Sequence, residues 1–184
     1  MSPDKVNYAG ISRTYQNINL FKKMTALENV MVGCHSQSKS SFLSDILRTK
    51  ATRKEEEEIV EKSYDRLKYV GLDEKANLLA SNLSYGEQRR LEIARALASG
   101  PELLLLDEPA AGMNLSEKDE LADLIRQIRA DGTTILLVEH NMKLVMNVCD
   151  KICVLNFGKK IAEGVPEYIQ TNEDVIASYL GGKK

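Results

Sequence analysis

Residues 83–109 read LSYGEQRRLEIARALASGPELLLLDEP, and the fold follows from how this stretch divides. Ser84-Tyr85-Gly86-Glu87 is an S-x-x-E box, in which a hydroxyl and a carboxylate satisfy the first free N–H groups of a helix. Leu91, Ala94 and Leu97 then recur at helical spacing and Gly100-Pro101 stops the pattern, which predicts a helix over about 85–98. The run ELLLLD (102–107) reads as a buried strand that ends on two adjacent carboxylates, Asp107 and Glu108.

The same rhythm continues toward the C-terminus. A second helix is expected over about 116–130, with Leu121, Leu124, Ile125 and Ile128 on one face, a Ser116/Asp119 pair near its start and Asp131-Gly132 at its end. TTILLVEH (133–140) is another buried strand, closing on Glu139 and His140. A short helix through Met142–Val148 follows, then KICVLNFG and KKIAEG as a hairpin turning at Gly158, then short helices around Glu167–Gln170 and Asp174–Leu180. Apolar strands alternating with helices predict a parallel α/β sheet covered on both faces, with its chemistry at the carboxyl ends of the strands.

Upstream, the chain is mostly helical and polar. RKEEEEIVEK (53–62) opens an amphipathic helix that places Val60, Tyr64, Leu67 and Val70 near one face and presents its acids to solvent; Gly71 sits where a C-cap belongs. SQSKSS (36–41) reads as a loop. A length of 184 residues fits one domain, with room for a subdomain. The net charge of −2 gives no electrostatic case for nucleic acid. The longest apolar runs, Leu103–Leu106 and Ile135–Val138, are too short to span a bilayer, and MSPDKVNYAG has no signal-like apolar stretch. Three cysteines make no disulfide framework, and Cys34-His35 lacks a second ligand pair at metal-site spacing.

If the two buried strands are parallel, Asp107, Glu108 and His140 meet at one end of the sheet. A carboxylate able to hold magnesium, a second able to take a proton from water and an imidazole able to touch a phosphate form a coherent phosphoryl-transfer set. The plainer reading, acids at strand ends meeting solvent, is weakened by the histidine at the matching position. Ser84 and Gly86 at a helix N-terminus likewise suit an anion as well as a cap. Yet the eleven glycines contain no pair five apart, and the Gly-Lys pairs at 158 and 182 are followed by Lys, so G-x-x-x-x-G-K-[ST] is absent from these residues.

In combination, these segments resemble the ATP-binding subunits of ABC transporters. LSYGEQ (83–88) is similar to the signature motif, LLLLDEP (103–109) to the Walker B strand with its catalytic glutamate, and AAGMN (110–114) to the D-loop. His140 matches the switch histidine and Gln16, in RTYQNINLF, the Q-loop glutamine. The similarity runs from about Gly10 to Gly181, and its blocks most resemble the branched-chain amino-acid importers of the LivG type.

The resemblance implies a P-loop NTPase-like sheet with a mainly helical subdomain over about 20–82, a core over 83–160 and C-terminal helices over 161–184. It implies ATP and Mg²⁺ as cofactors, with Asp107 holding the metal's water shell and Gln16 ligating the metal. It implies Glu108 as general base, His140 on the γ-phosphate, and Ser84, Gly86 and Gln88 closing over the nucleotide of the opposite subunit. Asn114 stands in the D-loop where many members have Asp. The implied partners are a second ABC ATPase subunit, as a heterodimer, and transmembrane permease subunits faced by the helical segment. The implied location is the cytoplasmic face of the plasma membrane.

The family's front end, with its P-loop, is missing from the pattern. Met1-Ser2-Pro3-Asp4-Lys5 reads as the middle of a loop, so the expectation is an importer ATPase whose first residue here is an internal methionine; a natural short partner that lends its signature motif without hydrolysing ATP is the alternative. Each charge-assisted bond of a phosphate cradle contributes about 1.5–3 kcal/mol, so four or five roughly equal the ~8 kcal/mol of a micromolar affinity. These residues alone are therefore expected to be inactive. An exposed sheet edge is expected where the P-loop strand would lie.

Overall fold

The computed structural model describes residues 2–34 and 50–180; His35 and the loop expected over 36–41 lie outside them. The chain divides into two compact units, Met1–Glu139 and His140–Lys184, and the cut falls inside the 83–160 segment that the sequence treats as one core.

The first unit is built on three parallel strands, β1 (Ile11–Arg13), β2 (Leu103–Asp107) and β3 (Thr134–Val138), in the order β1-β2-β3. Ile11 pairs with Leu103, and Leu103 to Asp107 pair rung by rung with Thr134 to Val138. Before β1 comes a helix, α1 (Pro3–Tyr8), where a loop is expected from the sequence. The proline explains the difference, since its fixed φ suits the first turn of a helix. Helices α2 (Ala26–Cys34), α3 (Lys50–Tyr69), α4 (Tyr85–Ala98) and α5 (Leu115–Ala130), with short 3-10 turns at Asp73–Lys75 and Ala80–Asn82, complete the unit among the described residues.

Leu104 and Leu106 of β2 are fully buried, as are Leu91, Ile93 and Ala94 of α4 and Leu121 and Ile128 of α5. Burying each such leucine contributes about 1.5–3 kcal/mol before entropy is counted. α2 packs on α3 and α4. Gly33 is what lets α2 approach α4, because a Cβ there would lie 2.2 Å from the Arg95 carbonyl oxygen.

Three expectations are corrected. Cover on both faces does not extend to β3, which exposes Leu136 (57%) and Val138 (55%) and among the described strands pairs with β2 alone. The inner face of α3 is narrower than expected, with Ser63 and Leu67 buried four apart, and Val70 buried just past the helix end, while Val60 and Tyr64 stay exposed. Ser63 is tolerated inside because its hydroxyl lies 3.4 Å from Cys34 Sγ. And α5 begins at Leu115, not Ser116, with Asn114 and Glu117 as its capping pair. Asn114 is the residue with extended backbone before the first turn, so its side chain is the one that reaches the free N–H groups.

The second unit contains α6 (Met142–Val148), the hairpin β4 (Ile152–Asn156) and β5 (Lys159–Gly164), α7 (Pro166–Thr171) and α8 (Glu173–Leu180). Its core is Val145, Ile152, Ala162, Ile169 and Val175. The two-residue turn, Phe157-Gly158, has φ of +46° and +76°, the left-handed pair that matches strand twist in a tight hairpin.

Candidate functional site

β2 carries its chain to a point where two carboxylates emerge side by side. Asp107 is the last residue of the strand, paired with Val138, and the Glu108 N–H still donates to the Val138 carbonyl at 2.9 Å. Glu108 has φ +44°, a left-handed conformation that costs a non-glycine residue energy and persists only where the surroundings impose it. Here the imposed turn aims the carboxylate at the neighbouring strand end. Gln16, three residues beyond β1, donates from Nε2 to Glu108 Oε2 at 2.9 Å. Arg13, the end of β1, donates from Nη2 to Asp107 Oδ2 at 2.8 Å. The sequence separation of 92 between Gln16 and Glu108 is bridged because parallel pairing places the ends of β1 and β2 side by side.

The segment carrying Gln16 is held from α4. Arg89, wholly buried, donates to the Tyr15 carbonyl at 2.6 Å and the Gln16 carbonyl at 2.7 Å, and pairs with Glu92 at 2.7 Å. Glu92 in turn accepts from the Asn19 N–H, and Arg95 donates to the Asn19 carbonyl at 2.6 Å. Neither the cap, the apolar stripe nor the signature-motif resemblance of LSYGEQRRLEIARALA singles these residues out. The available signal was an opposite-charge pair three apart, Arg89 and Glu92, interleaved with the residues of that stripe.

A second cluster stands at the start of α4. Ser84 Oγ accepts from the Glu87 N–H at 3.3 Å, and the Glu87 carboxylate accepts from the Ser84 N–H at 2.9 Å. Lys75 pairs with Glu87 and is the main reason its carboxyl sits below the usual range. Gln88 donates to the Leu83 carbonyl at 2.8 Å. Asn114 and Glu117 form the matching box at the start of α5, at 3.0 Å in both directions. The structure thus brings Gln16, Asp107 and Glu108 together, and gathers Ser84, Gly86 and Gln88 on one helix turn. His140 follows directly on Glu139, whose carboxylate accepts from the Ala110 N–H at 2.9 Å; it is the first residue of the second unit. Among the described residues, no group of three His, Cys, Asp or Glu side chains is placed to hold a metal ion.

The family profile described as "ABC transporter" matches residues 4–111, and one described as "Branched-chain amino acid ATP-binding cassette transporter" matches residues 159–184. A protein of Salmonella typhimurium, "High-affinity branched-chain amino acid transport ATP-binding protein LivG", is 50% identical over 173 residues, covering 94% of this chain and 68% of the relative. The chain belongs to the ABC transporter family.

Another member, "High-affinity branched-chain amino acid transport ATP-binding protein BraF" of Pseudomonas aeruginosa, is 48% identical over 96% of this chain and 70% of the relative. The fold agrees with that of MJ1267, an ATP-binding cassette of an ABC transporter solved in its ADP conformation. The TM-score is 0.81 at 31% identity, over 98% of this chain and 72% of that one. The P-loop NTPase-like α/β fold is therefore the fold of this ABC-family chain, as its motifs predict. No helix among the described residues is long and apolar enough to cross a membrane.

Proposed function

We propose that the chain is the ATP-binding and hydrolysing part of an ABC importer for branched-chain amino acids, driving transport by ATP-dependent closure against a second ATPase subunit. The observation that carries this reading is the Gln16–Glu108 hydrogen bond at the adjoining ends of β1 and β2, with Asp107 beside it. Glu108 is the general base for the attacking water, held ready by its left-handed turn and by the Gln16 amide. The donor set fits a hard cation. Asp107 already attracts the Arg13 guanidinium, and magnesium prefers one or two carboxylates, with waters and nucleotide phosphates filling its shell. Asp107 and the Gln16 amide oxygen would hold it, and bound Mg²⁺ would offset the negative charge that develops on the phosphates.

Ser84, Gly86 and Gln88, with Asn114, are presented to the nucleotide of the partner ATPase; His140 contacts the γ-phosphate. The partner is a related subunit in a heterodimer, and the segment 20–82 faces the permease, on the cytoplasmic side of the membrane. The substrate class rests on the matched profile over 159–184 and on the names of the relatives.

A phosphate cradle is not contained in these 184 residues, so a titration of the chain alone with ATP should give a Kd weaker than about 1 mM, less than ~4 kcal/mol of binding. A tighter Kd overturns that part. The reading as a whole is tested in vesicles holding permease and both ATPases, with Glu108→Gln introduced. Loss of ATP-driven leucine uptake with the complex still assembled supports it. Uptake that continues unchanged makes this chain the non-hydrolytic partner instead.

A further inference from the structure

The turn that begins α4 and the turn that begins α5 lie against each other, and the contact passes through two glycines. Gly86 is buried at the first turn of α4. A Cβ built on it would lie 2.6 Å from Glu117 Oε1, 2.8 Å from Cδ and 3.1 Å from Cγ, so the Glu117 side chain fills the place where any other residue would project. Gly112, with φ +76°, faces the residue before Gly86: a Cβ there would lie 3.2 Å from Tyr85 Cε1 and 3.4 Å from Cζ. A third tie, Arg90 to Glu120 at 3.0 Å, joins the next turn of each helix.

Glu117 therefore does two things with one carboxylate. Oε2 accepts the Asn114 N–H and completes the α5 cap, while Oε1 rests on Gly86. A residue needed only as a cap has no reason to lie on the neighbouring helix. Around this contact, Ser84 and Asn114 stay exposed while Gly86 and Met113 are buried.

We propose that Glu117 is a positioning residue that locks the signature turn (Ser84–Gly86) to the D-loop turn (Gly112–Asn114), so that one subunit offers both to its neighbour as a single rigid edge. The two turns then engage or leave the partner's nucleotide together. The functional half of this statement rests on the proposed role of Ser84, Gly86 and Asn114; the lock itself does not, and it is tested without nucleotide.

Amide hydrogen exchange on the 184-residue chain separates a lock from a cap. Glu117→Ala should speed exchange at Glu87 and Gln88 about fivefold, the equivalent of one lost capping-strength interaction. Asn114→Ala, which removes the other half of the α5 cap but leaves the Glu117 side chain, should speed exchange at Glu117 only. Glu117→Gln should restore protection at 87 and 88. Unchanged exchange at 87 and 88 in Glu117→Ala overturns the lock.

Should Glu117→Ala not fold, thermal unfolding of Gly86→Ala decides. Alanine is the better helix former, so without the contact this change raises the midpoint. With it, the midpoint should fall by about 3 °C or more, and adding Glu117→Asp, one methylene shorter, should recover at least half of the loss. A raised midpoint, or two strictly additive losses, overturns the proposal.

Discussion

Arg89 sits at 0% exposure with its guanidinium shared between a carboxylate and two backbone carbonyls. Removing one partner of a buried pair strands the other charge, which costs about 3–5 kcal/mol, whereas replacing both by apolar groups is often neutral. Arg89→Leu should therefore destabilise by about that much, and Arg89→Met with Glu92→Leu by much less. Urea unfolding of the three proteins checks this; equal losses in the single and double variants would show that Glu92 is not the stranded group. The double variant still lacks the donors to Tyr15 and Gln16, so it separates the stability of the helix from the placement of Gln16. The end of an apolar strand points to Asp107 and Glu108, whereas Gln16 stands out only through the family resemblance. Neither gives weight to Arg89 or Arg13, because a charge in a helix or at a strand end is ordinarily solvated. Only the fold shows that these two charges are turned onto backbone carbonyls and a carboxylate.

At the level of elements, turn chemistry and apolar periodicity located the helices and strands of the last hundred residues to within a residue or two, because each is bounded by Gly, Pro or a cap. The exception is the start of α5, where Ser116/Asp119 and Asn114/Glu117 both offer a cap and backbone conformation, which is invisible in the sequence, selects the second. Asn114→Ala should consequently cost about 1 kcal/mol in chemical denaturation, while Ser116→Ala should cost no more than a few tenths. The hairpin of the second unit adds a pH test. Lys151, then Lys160, hold the Glu163 carboxyl well down, from 4.5 to about 2. A carboxylate with a lowered folded value contributes stability that is fully present above about pH 4.5 and is lost as pH falls toward about 2. Amide protection in β4 and β5 should follow that window, and Glu163→Gln should flatten it. A profile identical in the two proteins would remove the carboxylate as its cause.

For the molecule as a whole, the exposed side of β3 decides how the chain behaves in solution. Thr134, Leu136 and Val138 alternate onto one exposed face, and the outer edge of the strand pairs with no other described strand. An apolar face joined to an open row of N–H and C=O groups is a template for another chain. The sequence carried this indirectly: TTILLV has the continuous apolar pattern of a strand flanked on both sides, and one flank has no counterpart among the described strands. The 184-residue chain should therefore associate as its concentration rises, with static light scattering reporting a growing average mass. Leu136→Lys with Val138→Lys should hold the protein monomeric over the same range, because two like charges on that face repel an incoming copy and must be desolvated for it to pack. The same substitutions should leave the exchange protection of β2 unchanged, since Leu104 and Leu106 are buried independently of that face. Association that persists in the lysine variant would move its origin away from β3, and the exposed Phe157 turn of the second unit would be the next surface to change.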